Sequence, residues 1–427
     1  MLRVTAVKAR EILDSRGFPT LEVDVELDDG SIGRASVPSG KSTGRREARE
    51  LRDGDPARFG GQGVLSAVDH VQKVICAALQ NARIPDQEMF DRTLIDLDGT
   101  ADKRKLGANA ILGCSLAFAR AQATARRRSL VRHLADLYGD QALVFPVPMM
   151  NVINGGKHAD SGISTQEFML VPQGAANVAE AIRMGAQTYH VLQSLIAAKG
   201  YRVSVGDEGG FAPQLRSSAE ALELLTAAIE QAGYSPGEDI ALALDFAAND
   251  FYQAGSYGFE GHIWSADEMT DYCLEMASRF PIVSIEDGLA EDDWEGWVGH
   301  TQRLSAAGLQ CVGDDIFVTN PTIFQTGIER GVANAILIKP NQIGTISETF
   351  ATLRMAAQAN YRTVVSHRSG ETDDPFIADF ALATSARQIK SGAPARGERV
   401  AKYNQLIRLQ EEFPTAPLAK DLYSRRP

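Results

Sequence analysis

From about residue 143 onward, short apolar runs alternate with segments long enough to form helices, and this alternation constrains the fold more than any other feature. Such a pattern is typical of βα units, which assemble into a largely parallel sheet. Eight runs give the strand number of a closed barrel, and the roughly 285 residues that contain them suit one. The runs are Val147–Ile153, Glu167–Val171, Ile240–Asp245, Ile282–Glu286, Cys311–Asp314, Ala335–Lys339, Thr363–His367 and Arg387–Lys390.

The N-terminal part of the chain has a different pattern. Apolar and acidic residues alternate over 21–28, which predicts a strand with one buried face, and an Asp-Gly turn then leads into a second strand at 31–37. An earlier strand completes an antiparallel meander, and residues 64–138 continue with a helical pattern. We therefore predict an α/β protein, with an α+β domain of meander and helices at 1–138 and a barrel domain at 139–427.

Charged residues stand at the ends of the predicted barrel strands, where a buried strand carries a charge only at a cost. From the first of them onward they recur at intervals of 41, 28, 25, 28 and 23 residues, about one βα unit each. The carboxyl ends of barrel strands build the active-site face, so we expect these side chains to converge there. They are Asp245, Glu286, Asp314, Lys339, His367 and Lys390.

Three of these residues, Asp245, Glu286 and Asp314, are carboxylates on successive predicted strands. Three anions held together raise one another's pKa unless a cation neutralises them. All-oxygen ligands suit a hard cation, and Mg²⁺ is the usual one where a phosphorylated substrate supplies further ligands. The alternative is that each acid caps the helix that follows it. Three acids in register, with a lysine one strand on, favour the metal site.

Lys339 lies between the carboxylate strands and the histidine strand. Bound cations lower the pKa of a nearby lysine, so Lys339 can act as a base; a salt bridge to one of the acids is the alternative. Arg368 and Ser369 offer a forked donor and a hydroxyl, a combination suited to a phosphate. The acidic loop 206–210 is flanked by glycines that permit close approach to a ligand, although it fits a simple turn equally well.

The chain is acidic, with a net charge of −12 and a pI of about 5.2, which makes it a poor general binder of nucleic acid or anionic membranes. Its four cysteines form no C-x-x-C pair, so they indicate neither a zinc cluster nor a disulfide framework. No signal segment precedes the first strand, and no apolar stretch is long enough to span a bilayer. We expect a cytoplasmic protein with no nucleic-acid or membrane partner.

Several longer stretches have a further significance. They are E-I-L-D-S-R-G (11–17), V-P-S-G (37–40), L-G-A-N-A-I-L-G (106–113), P-V-P-M-M-N (146–151), Q-E-F-M (166–169), G-D-E-G-G-F-A-P (206–213), S-I-E-D (284–287), G-D-D (313–315), K-P-N-Q-I-G-T (339–345), S-H-R-S-G-E-T (366–372) and A-K-Y-N-Q-L (401–406). In content and order they make the chain resemble the enolase (phosphopyruvate hydratase) family over essentially its whole length. The resemblance implies a barrel whose first two strands are antiparallel, and a homodimer or a larger assembly of dimers.

The resemblance also implies a reaction and a metal. The family removes water from 2-phosphoglycerate to give phosphoenolpyruvate, with two Mg²⁺ ions per active site, the second arriving with the substrate. Asp245, Glu286 and Asp314 would then bind the first ion, and Ser39, on a mobile loop, would help to hold the second.

Roles for the remaining site residues follow from the same resemblance. Lys339 would remove the proton beside the carboxylate, and Glu208, assisted by Glu167, would protonate the leaving hydroxyl. His158 completes the catalytic set. Lys390 and the metal ions would stabilise the dianionic intermediate. The residues implied to contact the substrate are Gln166, His367, Arg368, Ser369 and Lys390.

The loops around these residues depart from the family pattern. S-G-K-S-T-G at 39–44 replaces S-G-A-S-T-G and is followed by two arginines; Lys157 replaces a serine; and D-F-A-A-N-D-F at 245–251 replaces D-x-A-A-S-E-F. Asp374-Pro375 also replaces an acidic residue followed by threonine. The new cations include Lys41 and Lys157, which we assign to the substrate-binding set because cations in a closing loop suit a more anionic substrate.

These departures favour a specialised paralogue of the carboxyphosphonoenolpyruvate synthase type, acting in phosphonate biosynthesis on a phosphonate-bearing substrate. The alternative is a housekeeping enolase of glycolysis whose exposed loops have drifted. A non-enzymatic binding protein and another lyase of the superfamily, such as a sugar-acid dehydratase, are further alternatives. The intact catalytic set argues against the first of these, and the G-D-E-G-G and S-H-R-S-G stretches argue against the second.

Overall fold

The N-terminal domain is built on a three-stranded antiparallel sheet. The computed structural model describes residues 3–41, 43–80, 84–139, 141–159 and 161–423. Strands β1 (Val4–Leu13), β2 (Pro19–Leu27) and β3 (Ile32–Ser36) pair in that order, as the alternating pattern predicts. Leu21, Val23 and Val25 point into the core and are fully buried, while the acids between them remain partly exposed.

Helices cover the buried face of this sheet. They are α1 (Leu65–Asp69), α2 (Cys76–Leu79), α3 (Gln87–Asp98), α4 (Ala108–Ala125) and α5 (Leu130–Tyr138), with a π-helical segment at His70–Ile75 and a 3₁₀ turn at Phe59–Gly61. Helix α4 is rich in alanine and lies directly on the sheet, since a Cβ added at Gly33 would meet the Ala117 carbonyl oxygen at 2.0 Å. Only glycine therefore fits at that position of β3.

The C-terminal domain is a closed eight-stranded barrel, as predicted. In chain order its strands are β4 (Val147–Asn154), β5 (Glu167–Val171), β6 (Ala241–Asp245), β10 (Ile282–Glu286), β11 (Gln310–Gly313), β12 (Ala335–Ile338), β13 (Arg362–Ser366) and β14 (Arg387–Lys390), and β14 pairs with β4 to close the ring. All pairs are parallel except those of β5, which runs antiparallel to both of its neighbours. The expected antiparallel pairing of the first two strands is therefore confirmed.

Helices surround the barrel. They are α6 (Val178–Ala198), α7 (Ser218–Gln231), α8 (Ala266–Arg279), α9 (Trp294–Ala306), α10 (Pro321–Arg330), α11 (Pro340–Ile343), α12 (Ile346–Gln358), α13 (Phe376–Ala383) and α14 (Gly397–Glu412). Among the described residues, no helix combines the length and the apolar character that crossing a bilayer requires.

A small second sheet was not predicted. Strands β7 (Tyr252–Gln253), β8 (Ser256–Phe259) and β9 (His262–Trp264) form an antiparallel sheet between β6 and α8. It is held by aromatic contacts, with the Phe259 ring 5.1 Å from that of Tyr272 and 5.7 Å from that of Phe246. Strands of two to four residues are too short for an alternating pattern to reveal.

The two domains share a largely buried ion pair, in which the side chain of Arg120 is 20% exposed and that of Asp374 is 8% exposed. Arg120 on α4 donates two hydrogen bonds of 2.6 Å to the carboxylate of Asp374, in the loop after β13. The same carboxylate accepts the Ser36 amide of the N-terminal sheet at 3.0 Å. The N-terminal domain is thus fixed against the carboxyl end of the barrel, which places its loops above the mouth.

Candidate active site

The barrel places the predicted charged residues at one face. Asp245 and Glu286 are the last residues of β6 and β10 and lie opposite each other in the strand register. Asp314 and Lys339 directly follow β11 and β12. Glu167 joins them because β5 is reversed, so that its first residue lies at the mouth, opposite Asp245.

The three acids do not cap the helices that follow them. Helix α8 is capped by Ser265, α9 by Asp293 and α10 by Asn320, each through a side-chain oxygen that accepts from the first turn. The capping alternative is therefore excluded for Asp245, Glu286 and Asp314, and their burial at the mouth needs another explanation.

Lys390 occupies the centre of the mouth. Its Nζ lies 2.9 Å from Glu286, 3.1 Å from Asp245 and 3.1 Å from Glu167, and its side chain is only 3% exposed. Burial disfavours the ammonium, but the three carboxylates outweigh it and hold the pKa of Lys390 well above its usual value. Lys390 is therefore a fixed positive charge.

Lys339 is held in a second buried pair, with Asp314. Burial lowers the pKa of Lys339, but the charged groups around it, above all the Asp314 carboxylate, outweigh burial, so the net pKa is raised. The other oxygen of Asp314 accepts from Gln342 at 2.9 Å, and Thr319 accepts the Lys339 amide at 2.9 Å. The lysine is thus precisely oriented at the wall of the mouth.

A second cluster of acids lies next to the carboxylates that surround Lys390. Asp287 accepts the backbone amides of Asp314 at 2.9 Å and Asp315 at 3.0 Å, and oxygens of the three acids lie within 4.8 Å of one another. Burial and the neighbouring acids raise the pKa of both Asp287 and Asp315. The sequence interpretation missed these two residues, although each stands directly after a predicted ligand, Glu286 or Asp314.

On the side of the pocket opposite Lys339, another cluster is formed by His158, Glu167 and Glu208. The His158 Nδ1 atom lies 3.6 Å from an oxygen of each glutamate, and Asn151 donates to Glu208 at 3.0 Å. Burial raises the pKa of Glu167, and the adjacent Glu208 raises it further. This carboxyl therefore keeps a proton to higher pH than an exposed one would.

The loop after β13 contributes His367, Arg368 and Ser369. The His367 Nε2 atom lies 3.3 Å from Glu208. Arg368 forms a bidentate pair with Glu47 of the N-terminal domain, at 2.9 and 3.1 Å. Sequence reasoning missed Glu47, because its partner is 321 residues away.

These residues enclose one small pocket, of about 30 Å³. Its lining residues are His158, Gln166, Glu167, Glu208, Asp245, Ala247, Asp287, Asp314, Asp315, Lys339, Ser366, His367, Arg368, Ser369 and Lys390. The lining therefore carries more carboxylates than lysine and arginine cations.

This donor set fits a hard metal ion. The candidate ligands are all carboxylate oxygens at the ends of adjacent strands, and the buried Glu286 Oε2 has no hydrogen-bond partner among the described residues. Burial raises the pKa of Glu286, and the nearby carboxylate of Asp245 raises it further. A divalent cation would give the Glu286 oxygen a partner and would offset the repulsion between the carboxylates. The residues therefore fit Mg²⁺.

Ser39 does not lie with the three acids. Its hydroxyl donates to Glu50 at 3.0 Å and accepts from Arg52 at 2.7 Å, inside the N-terminal domain. Its backbone pairs with Gly370 through hydrogen bonds of 2.7 and 2.8 Å. The loop that carries Ser39 is therefore docked beside the loop after β13, and Ser39 is not among the residues that line the pocket.

The altered loops form ion pairs at the rim of the mouth. Lys41 pairs with Asp207 at 2.9 Å and Lys157 with Asp250 at 2.5 Å, and neither lysine lines the pocket. The two arginines after the first loop pair with Glu291 and Asp292. Two further residues of these loops, Ser42 and Asp160, lie outside the described residues.

The fold and this site define a class: an α/β-barrel protein whose carboxyl face holds buried carboxylates, ammonium groups and histidines. Residues 142–420 match the C-terminal TIM barrel domain of enolase, and residues 4–134 match the enolase N-terminal domain. The chain belongs to the enolase family, and it is an enolase-type lyase.

Proposed function

We propose that this protein eliminates water from 2-phosphoglycerate, or from a closely related phosphorylated hydroxy acid, in a Mg²⁺-dependent reaction. The observation that carries the proposal is the convergence of Lys339, the Glu167–Glu208 pair and Arg368–Ser369 on one enclosed pocket in a chain of the enolase family. A base, an acid and a seat for phosphate are the three elements that such an elimination needs.

Lys339 is the proposed base. Its ammonium is paired with the carboxylate of Asp314, which raises its pKa. If Asp314 ligated a metal ion, it would stabilise the ammonium less, and the pKa of Lys339 would fall towards the range of a base. The amide contact with Thr319 keeps the start of the side chain in place meanwhile.

Glu208 is the proposed acid, with Glu167 beside it. The two carboxyls lie in one buried cluster with His158. Burial raises the pKa of Glu208, but His367 and His158 lower it by more, whereas burial and Glu208 raise the pKa of Glu167. The proton of the cluster is therefore held by Glu167, from which it would pass to Glu208. A proton on this cluster can pass to the leaving hydroxyl from the side of the pocket opposite Lys339. His158 and Gln166 line the same wall and would orient the substrate.

Asp245, Glu286 and Asp314 are the proposed ligands of the first Mg²⁺, and Ser39 would help to hold a second after its loop moves. When bound, Mg²⁺ supplies Lewis acidity that stabilises the negative charge formed on the substrate carboxylate. Lys390 adds a fixed positive charge at the same place, because three carboxylates already hold it in position.

The phosphate would bind Arg368 and Ser369. Arg368 is buried, and its bidentate pair with Glu47 holds the planar guanidinium rigid, so a phosphate would have to share or replace the Glu47 carboxylate. The backbone of Gly40 lies against Arg368 so closely that a Cβ there would come within 1.9 Å of its guanidinium. Docking of this loop would therefore cover the phosphate and exclude water.

A more anionic substrate, such as a phosphonate-bearing one, is the second candidate. The Lys41 amide donates to the Ser369 hydroxyl at 2.8 Å, so this lysine lies directly beside the proposed phosphate seat. Its side chain is held by Asp207 rather than directed into the pocket. A substrate with an additional anionic group could exchange that pair for its own.

Purified protein with Mg²⁺ tests the proposal directly. We expect steady-state turnover of 2-phosphoglycerate at roughly 1–10³ per second, abolished by Lys339→Met and retained in the rim variant Lys157→Met. Failure on 2-phosphoglycerate with turnover of a phosphonate-bearing analogue would select the second candidate. A folded, Mg²⁺-binding protein inactive on both would contradict the proposal and favour a binding role.

The proposal includes an organisation. We place the domain boundary between residues 138 and 139, after helix α5 and before β4. We propose a homodimer, or an assembly of dimers, in the cytoplasm. Leu13 and Phe18, which are 58% and 44% exposed at the end of the β1–β2 hairpin, support a protein contact there. Light scattering on the purified protein would give the mass of the assembly.

A further inference from the structure

A fully buried arginine lies beneath two loops of the pocket. Arg399 belongs to helix α14 and is 0% exposed, although it does not line the pocket itself. A guanidinium is costly to bury unless its hydrogen bonds are satisfied, so its partners show what it does.

Four of its hydrogens have identified acceptors. Nη1 donates to the His367 Nδ1 atom and to the Arg368 carbonyl, both at 2.6 Å. Nη2 donates to the Ser369 carbonyl at 2.6 Å and to the Asp207 carbonyl at 3.1 Å. One side chain thus joins the loop after β13 to the acidic glycine-flanked loop.

The contact with His367 determines where the imidazole proton resides. A guanidinium has five donors and no acceptor, so the His367 Nδ1 atom must accept with its lone pair. Burial lowers the pKa of His367, Glu208 raises it and Arg399 lowers it, and the net pKa is about 4, so the ring is neutral near pH 7. The single proton of a neutral ring that accepts at Nδ1 lies on Nε2.

The Nε2 atom of His367 faces Glu208, the proposed acid. It lies 3.3 Å from Glu208 Oε2, and His367 is only 2% exposed in the wall of the pocket. With the proton on Nε2, the ring can donate to Glu208 or to a substrate oxygen. The other tautomer would turn a lone pair towards the carboxylate, which is repulsive at this distance.

We propose that Arg399 is a positioning residue that sets the tautomer of His367, so that Nε2–H is presented to Glu208 and to the substrate. Its influence on the reaction rests on the proposed function, but its influence on the imidazole does not. Partners that fix the tautomer of a metal-binding histidine contribute about 10- to 100-fold to metal affinity or activity, and we expect an effect of the same order at His367.

The test is ¹⁵N NMR of the histidine side chains in the full-length protein with Mg²⁺, near pH 7. Comparison with His367→Gln identifies the His367 signals. We expect the Nε2–H tautomer in the wild type and a mixture in Arg399→Met, together with a kcat for 2-phosphoglycerate about 10- to 100-fold lower and a KM changed much less. Arg399→Lys, which keeps a donor, is expected to lie between the two.

Arg396 provides a matched control. It donates to the Gly206 carbonyl at 3.2 Å and to the Ser15 carbonyl at 2.9 Å, so it anchors the same acidic loop without touching His367. Arg396→Met should leave the His367 tautomer unchanged, which separates the effect from general loosening of the loop.

Three results would overturn the proposal: an Nδ1–H tautomer in the wild type, wild-type His367 signals in Arg399→Met, or the same change of tautomer in Arg396→Met. If Arg399→Met does not fold, the wild-type and Arg399→Lys spectra still decide. If the tautomers behave as expected but 2-phosphoglycerate is not turned over, the proposed function fails while the role of Arg399 stands.

Discussion

The strand ends and the rim loops both bring opposite charges together, but in different surroundings. At the strand ends, Lys390 is 3% exposed and contacts three buried carboxylates. At the rim, Lys41 is 41% and Lys157 is 56% exposed, and each forms an ion pair with one carboxylate among the residues that the structure describes. Exposed pairs contribute little to stability, whereas removing one partner of a buried pair leaves an uncompensated charge.

This difference in burial predicts different roles for the strand-end charges and the rim charges. The buried charges cannot relax into solvent, so they hold fixed geometry and shifted pKa values, which a proton-transfer site needs. The rim charges are screened by solvent and can exchange partners when a substrate arrives. We therefore expect the strand ends to determine whether elimination occurs and the rim loops to adjust which substrate enters.

The largest effect is expected at Lys339. Replacing it with methionine removes the proposed base, and kcat should fall by about 10²- to 10⁴-fold. Steady-state kinetics with Mg²⁺ and 2-phosphoglycerate measure this, and circular dichroism checks the fold. Activity within tenfold of the wild type in a folded Lys339→Met protein would exclude Lys339 as the base.

The buried pair between the domains should be next in size. Asp374→Asn leaves Arg120 without its charged partner, and removing one member of a buried pair costs about 3–5 kcal/mol. The matched control is Asp136→Asn, which breaks the exposed Arg128–Asp136 pair and should cost less than about 1 kcal/mol. Denaturant unfolding of both variants gives the comparison.

The Asp374 pair also predicts a dependence on pH. Burial raises the pKa of Asp374, but Arg120 and the backbone donors together lower it by more, so the net pKa lies below the ordinary value of 3.8. Its contribution to stability is therefore present above that value and is lost as the pH falls through the lower, folded-state value. The stability gap between wild type and Asp374→Asn should narrow at acid pH; a gap that widens would contradict the assigned direction.

Metal binding should stabilise the folded chain through the strand-end acids. A ligand at 100 times its dissociation constant stabilises the state that binds it by about 2.7 kcal/mol. We expect Mg²⁺ to raise the unfolding temperature of the wild type and of the control Glu295→Gln, an exposed glutamate on α9. Glu286→Gln should lose most of this increase. An equal increase in all three proteins would remove Glu286 from the metal site.

The smallest effects are expected at the rim. Lys41→Met and Lys157→Met should each change the free energy of unfolding by less than about 1 kcal/mol. If 2-phosphoglycerate is the substrate, their kcat values should stay close to that of the wild type. A large loss of kcat/KM for a more anionic substrate alone would instead identify the rim as its binding surface.

The sequence predicted the strand ends well for a physical reason. Apolar runs that end in Asp245, Glu286 or Lys339 carry both signals at once, a buried strand and a costly charge. All eight barrel strands lie within a few residues of the predicted runs. The antiparallel direction of β5 came from the family resemblance, because an apolar run does not reveal the direction in which it pairs.

The missing parts of the prediction are contacts that no local pattern encodes. Arg399 and Asp207 are 192 residues apart in the chain, and Glu47 and Arg368 are 321 apart. The partners of Lys41 and Lys157 could likewise not be read from their loops, so the sequence left their charges free for a substrate. The structure pairs both at the rim, which makes any contact with substrate depend on exchange of partners.

The central claim is that the buried strand ends supply the base that removes the proton, and that the rim loops do not. The most direct test is the exchange of the carbon-2 proton of 2-phosphoglycerate with deuterated solvent, followed by NMR in the presence of Mg²⁺, since exchange requires the base but not loss of the hydroxyl. We predict exchange in the wild type and in Lys41→Met, and none above background in Lys339→Met. Exchange that persists in Lys339→Met, or that is lost only in Lys41→Met, would contradict the claim.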